Sequence, residues 1–175
     1  MKSWLKRLPG PLSRRFGAPA QAPMPLPYSW VLTGQLAIGP MPITVEQWQQ
    51  LQDLGITSRF SCCYPEEEIQ VSPPALWHSS GMPLPDHRQQ EPLTSERLST
   101  SLDRVEATLN NHAPLYLHCL AGRERSPLLA VGLVARRRRL NLFDALDWVR
   151  RCHPMASPIY GHLELLEQVL SRAGG

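Results

Sequence analysis

The most constraining stretch of this chain of 175 residues is His118-Cys119-Leu120-Ala121-Gly122-Arg123-Glu124-Arg125-Ser126-Pro127. Before it stands the apolar Leu115-Tyr116-Leu117, which reads as a short strand entered through Pro114. After it, Leu128, Val131 and Ala135 recur at helical spacing, and Pro127 suits a first helical turn, where a missing N–H costs nothing. The pattern is a buried strand, a tight loop, then the N-terminus of a buried helix. Few folds accommodate that sequence of events with a cysteine at its centre.

The backbone N–H groups of Leu120, Ala121, Gly122, Arg123, Glu124 and Arg125 have no obvious ladder partners. A loop curled before a helix N-terminus aims such donors at one spot, and the helix dipole adds positive potential there. Gly122 permits the backbone angles a closed ring requires. Cys119 sits in that field, which favours its thiolate. Arg125 can offer its planar fork to two oxygens of a bound phosphate. Ser126 can donate a hydrogen bond to the sulfur and ease its departure. His118 is expected to orient the loop through backbone hydrogen bonds. The bland alternative is a buried cysteine before an ordinary helix, with Arg123 and Arg125 solvated; the combined strand, Gly, Ser and helix argue against it.

Residues 118–126 match H-C-x-x-G-x-x-R-S, and here the chain resembles the protein tyrosine phosphatase superfamily, most closely its dual-specificity branch. The resemblance extends over about residues 28–172. It implies a cysteine phosphatase fold and a general acid on a loop thirty-odd residues before the cysteine. Met82-Pro83-Leu84-Pro85-Asp86-His87 lies there, making Asp86 the candidate acid and Glu91 the fallback. By the same resemblance, a cysteine at the end of the preceding strand could pair with Cys119 under oxidation; Cys63 is the choice over Cys62. Superfamily members acting on inositol lipids tend to carry lysines in the loop, whereas Arg123 and Glu124 nearly cancel here. A phosphoprotein is therefore the expected substrate.

Composition narrows the class further. Forty-two per cent hydrophobic residues fit a single globular domain, and a net charge of +3 gives no footprint for nucleic acid. The longest apolar run, Pro127 to Ala135, is too short to span a bilayer. No C-x-x-C or H-x-x-x-H spacing supports a metal site, and no cofactor is called for. Four unpatterned cysteines suit a reducing compartment, hence a cytoplasmic location, and a monomer is expected. Residues 1–27 hold six prolines, five basic residues and no acid, and read as a flexible tail; organelle targeting through it is the minor alternative.

Residues 28–172 read as an α/β catalytic domain with one mixed, mostly parallel sheet flanked by helices. A hairpin turns at Thr33-Gly34, and a helix over 44–54 opens with a Thr44/Gln47 capping box. A strand covers 56–62, a helix 94–111, a helix capped by Asn141 follows, and Ser157-Pro158 opens the last. Glu66-Glu67-Glu68 reads as an exposed loop or first helical turn, Arg136 to Arg139 as a solvated helix end, and Cys152-His153 as structural. Two other readings stay open: a phosphate-binding module without turnover, and a sulfur-transferring or arsenate-reducing thiol enzyme. The second leaves Asp86 unexplained.

Overall fold

The computed structural model describes residues 24–68 and 71–173. Its strands are β1 (Ser29–Leu32), β2 (Leu36–Pro40), β3 (Ser58–Ser61), β4 (His78–Gly81) and β5 (Leu115–Cys119). They form one sheet in the order β1-β2-β5-β3-β4, antiparallel only between β1 and β2. The helices are α1 (Val45–Asp53), α2 (Ser95–His112), α3 (Arg125–Arg138), α4 (Leu142–Cys152) and α5 (Tyr160–Ala173). The expected mixed, mostly parallel sheet flanked by helices is thus present.

Side-chain alternation along β5 divides the core into two layers. Leu115, Leu117 and Cys119 join the larger apolar cluster, built with α2, α3, α4 and α5. Tyr116 faces the other way, into a smaller cluster with Trp48 and Leu51 of α1, Ile56 and Trp77. As the central strand, β5 is buried along its whole length, as parallel strands covered on both faces are. Helix α3 is buried from Arg125 through Ala135, because sheet and helices enclose it. Gly132 makes that enclosure possible: a Cβ there would lie 2.5 Å from a Leu102 methyl.

Local signals placed most boundaries. Thr44 caps α1 through the Gln47 N–H, while the Gln47 side chain reaches back to the Ile43 N–H, one residue before the cap. Thr94 and Asn141 cap α2 and α4 in the same way. Three boundaries differ from the sequence reading. Leu26, assigned to the tail, is 3% exposed and exchanges backbone hydrogen bonds with the Gln50 side chain, so residues 24–27 lie on the domain. The rest of that tail lies outside the described residues. Strand β3 is shorter than 56–62, since Ile56 is spent packing beneath α1. Helix α5 starts at Tyr160 and not at Ser157, whose N–H donates to the Arg123 carbonyl at 2.7 Å. Arg136 is not simply solvated either: it bridges to Asp103 and Glu106 of α2.

Strands β4, β3 and β5 are neighbours and parallel, so the loops leaving their C-terminal ends emerge side by side. That edge is where open α/β sheets place ligands. Glu67 follows β3, Asp86 follows β4, and Cys119 ends β5.

Candidate active site

The loop between β5 and α3 is held open from outside. The Leu120 carbonyl accepts from the Met41 N–H at 3.2 Å, and the Arg123 carbonyl from Ser157. The Gly122 carbonyl faces His153 Nε2 at 2.9 Å. In a planar trans peptide the N–H points opposite to its C=O. Each outward carbonyl therefore turns the next residue's N–H inward. Gly122 itself has φ +69°, and a Cβ there would lie 2.6 Å from both Gly39 C and Pro40 N. Only glycine closes this ring against the end of β2.

Inside lies a cavity of about 320 Å³ lined by Cys119, Leu120, Ala121, Arg123, Glu124 and Arg125, with Asp86, His87 and Arg88 opposite. Of the six expected loop contacts, Gly122 is the one that does not line it; its contribution is conformational. The Ser126 hydroxyl donates to Cys119 Sγ at 3.3 Å, as the sequence predicts. His118 departs from expectation. Its ring is fully buried against Tyr116 and Trp48, and neither nitrogen has a hydrogen-bond partner of good geometry among the described residues. Burial, aided by the positive charges of Arg59 and Arg125, pushes its pKa down to about 3. The ring is thus neutral and packed between Tyr116 and Trp48, with the Cys119 backbone partly opposing the shift, while Met41, His153 and Ser157 engage the loop's carbonyls.

Four charged side chains form a closed ring at the cavity wall. Arg125, 2% exposed, binds Glu67 through two bonds of 2.6 and 3.0 Å and reaches Asp86 Oδ2 at 3.1 Å. Arg88 closes the ring, bonded to Glu67 and to both Asp86 oxygens. Two carbonyls, of Cys62 and Leu84, take further Arg125 N–H bonds at 3.3 Å. Such a bidentate, buried arrangement fixes the guanidinium plane. Burial alone would raise the Asp86 pKa, but Arg88's hydrogen bonds and the Arg125 charge outweigh it and hold the carboxyl below its usual range. Glu67 behaves alike: burial opposes, and Arg125, the Tyr64 N–H and Arg88 prevail.

Glu67 was legible only as part of an exposed acidic run. It sits in a 3-10 turn, Pro65–Glu67, that swings its carboxylate inward, 58 positions away from its partner in sequence. Glu91, the fallback acid, pairs with Arg97 and does not line the cavity. His87 Nδ1 meets Glu124 at 2.7 Å, tying the Asp86 loop to the Cys119 loop. Asp86, His87 and Glu124 place ligand atoms within 4.8 Å of one another. A cation there would have to displace the His87–Glu124 and Asp86–arginine bonds. Both Cys62 and Cys63 are buried, and burial raises both thiols, Cys63 to about 12. No helix among the described residues is long and apolar enough to cross a membrane.

No protein-family model matches the chain. The human dual specificity protein phosphatase 9 is 28% identical over 87 residues, which is 50% of this chain and 22% of that protein. The chain thus corresponds to a small part of that relative's length. Among solved structures, the human tyrosine phosphatase-like serine/threonine/tyrosine-interacting protein superposes with a TM-score of 0.71 at 16% identity, covering 85% of this chain and 98% of the other. Human DUSP28 gives 0.66 at 21% identity, covering 88% and 99%. Tk-PTP in its active form gives 0.67 at 22%, covering 83% and 97%. The chain has the dual-specificity phosphatase fold, and its loop at 118–126 resembles the signature of the protein tyrosine phosphatase superfamily.

Proposed function

We propose that this chain is a cysteine phosphatase hydrolysing phosphate monoesters, with phosphoproteins as substrates. The observation carrying this reading is the convergence of Cys119, Arg125 and Asp86 on one cavity. The Cys119 thiolate attacks phosphorus in line; the S–P bond forms as the ester P–O bond breaks. Loop N–H groups and Arg125 neutralise charge on the non-bridging oxygens. Asp86 gives its proton to the leaving oxygen. Water then attacks the cysteinyl-phosphate, Asp86 takes a proton from it, and the Ser126 hydroxyl stabilises the departing sulfur.

An acid must carry a proton, yet two arginines, Arg88 first and then Arg125, hold Asp86 as a carboxylate. A phosphate dianion on Arg125 draws off that arginine's share of the stabilisation, leaving the Arg88 bonds, and adds a negative neighbour. Both effects favour the protonated form, so the substrate itself arms the acid. Side chains supply nucleophile, acid and countercharge, and no step calls for a cofactor. The matched charges of Arg123 and Glu124 at the rim suit a phosphorylated side chain better than a multiply phosphorylated headgroup. Four free cysteines suit a cytoplasmic setting. Aryl phosphate hydrolysis with EDTA present tests the reading. Turnover lost in Cys119→Ser and reduced about a hundredfold in Asp86→Ala supports it. A folded wild type without turnover overturns it and leaves a phosphate-binding module.

A further inference from the structure

His153 lies outside the cavity, behind the Cys119 loop, in the connection from α4 to α5. It is 5% exposed, and both ring nitrogens are engaged: Nε2 with the Gly122 carbonyl and Nδ1 with Ser29 Oγ, each at 2.9 Å. A carbonyl only accepts, so the ring proton is on Nε2. In the neutral ring Nδ1 is then an acceptor, and the Ser29 hydroxyl at the start of β1 donates to it. Burial lowers the ring's pKa, which suits the neutral form.

The bond matters because of where it falls. Gly122 lacks the Cβ that would restrict its own backbone angles, so the residue itself does not fix the orientation of the Gly122–Arg123 peptide. Flipped, it would turn the Gly122 oxygen toward the cavity and remove the Arg123 N–H from the anion's reach. The outward orientation leaves a buried carbonyl that needs a donor, and His153 supplies it.

We propose that His153 is a positioning residue: fixed in its Nε2–H tautomer by Ser29, it locks the Gly122–Arg123 peptide in the anion-binding orientation. The inference rests on the reading of this loop as a phosphate site. Tungstate, a phosphate-shaped dianion, is titrated calorimetrically into the full chain and into His153→Ala, His153→Gln and Ser29→Ala. One neutral hydrogen bond corresponds to a loss of about tenfold in affinity for His153→Ala, with a smaller loss for Ser29→Ala. His153→Gln, whose amide can donate to Gly122 and accept from Ser29, recovers most of it. In ¹⁵N spectra the wild-type ring carries its proton on Nε2, and the Arg123 amide signal moves in His153→Ala.

A folded His153→Ala with wild-type tungstate affinity overturns the lock while leaving the phosphatase reading intact. Wild type that binds no tungstate overturns the phosphate-site reading itself. If His153→Ala does not fold, the wild-type spectrum decides: a proton on Nδ1 overturns the proposal, one on Nε2 supports it.

Discussion

Glu67→Gln removes one charge from the ring around Arg125 while keeping its shape. Arg125 and Glu67 have side chains 2% and 8% exposed, so their pairing is largely shielded from water. Deleting one partner of a buried ion pair costs about 3–5 kcal/mol, mostly because the other charge is stranded. Here Arg125 is not fully stranded. It keeps Asp86 at 3.1 Å and the Cys62 and Leu84 carbonyls at 3.3 Å, and glutamine retains one acceptor oxygen. A loss of about 2 kcal/mol is therefore expected, or about 4–8 °C in Tm for a chain of this size. The guanidinium also gains freedom to turn onto Asp86, so kcat/KM falls about 10- to 100-fold. Urea unfolding and aryl phosphate kinetics measure both. The pH dependence supplies a sign. Glu67's folded pKa is depressed, so its contribution is present above the unfolded value of about 4.3 and lost as pH falls through the folded one. The stability gap between wild type and Glu67→Gln should accordingly close below pH 4.5. Equal stability at pH 7, or a gap that widens on acidification, would mean that Glu67 does not stabilise Arg125 as an ion pair.

Arg88→Met removes the strongest hold on the Asp86 carboxylate, so the acid keeps its proton to higher pH and the basic limb of the kcat/KM profile moves upward; an unmoved limb contradicts this. Gly122→Ala forces a side chain into φ +69° and against the Gly39–Pro40 backbone, which no rotamer can relieve. It should cost at least about 1–3 kcal/mol in stability and abolish tungstate binding, measured by melting and calorimetry. Peroxide treatment should link Cys119 to Cys63, a disulfide seen by mass spectrometry in Cys62→Ser and absent in Cys63→Ser; overoxidised Cys119 with neither linkage sinks the idea.

What could be seen in the sequence was what acts locally. Cys119, Gly122, Arg125 and Ser126 lie within eight consecutive positions, so their chemistry and spacing are visible together. Helix starts at Thr44, Thr94 and Asn141 are equally local, each a side chain meeting an N–H three residues on. Asp86 was found only because resemblance supplied a distance to search. The partners of Glu67, Arg88 and His153 could not be read for one reason: each is brought near only by the fold, the first two by sheet order and His153 by the packing of α4 on α3. Glu67 meets Arg125 across 58 positions, Arg88 meets Glu67 across 21, and His153 meets Gly122 across 31. A run of three glutamates signals solvent by composition. Only the adjacency of β3 and β5 turns the middle of that stretch toward an arginine.

In the proposed reaction a phosphoryl group is bonded covalently to Cys119. With an aryl phosphate whose phenoxide leaves without protonation, Asp86→Ala slows breakdown of the intermediate more than its formation, and rapid acid quench followed by peptide mass spectrometry then locates the label. One added phosphoryl group is expected on the peptide containing Cys119 and none in Cys119→Ser. Turnover by wild type with no phosphoryl adduct at Cys119 under any quench time would contradict it.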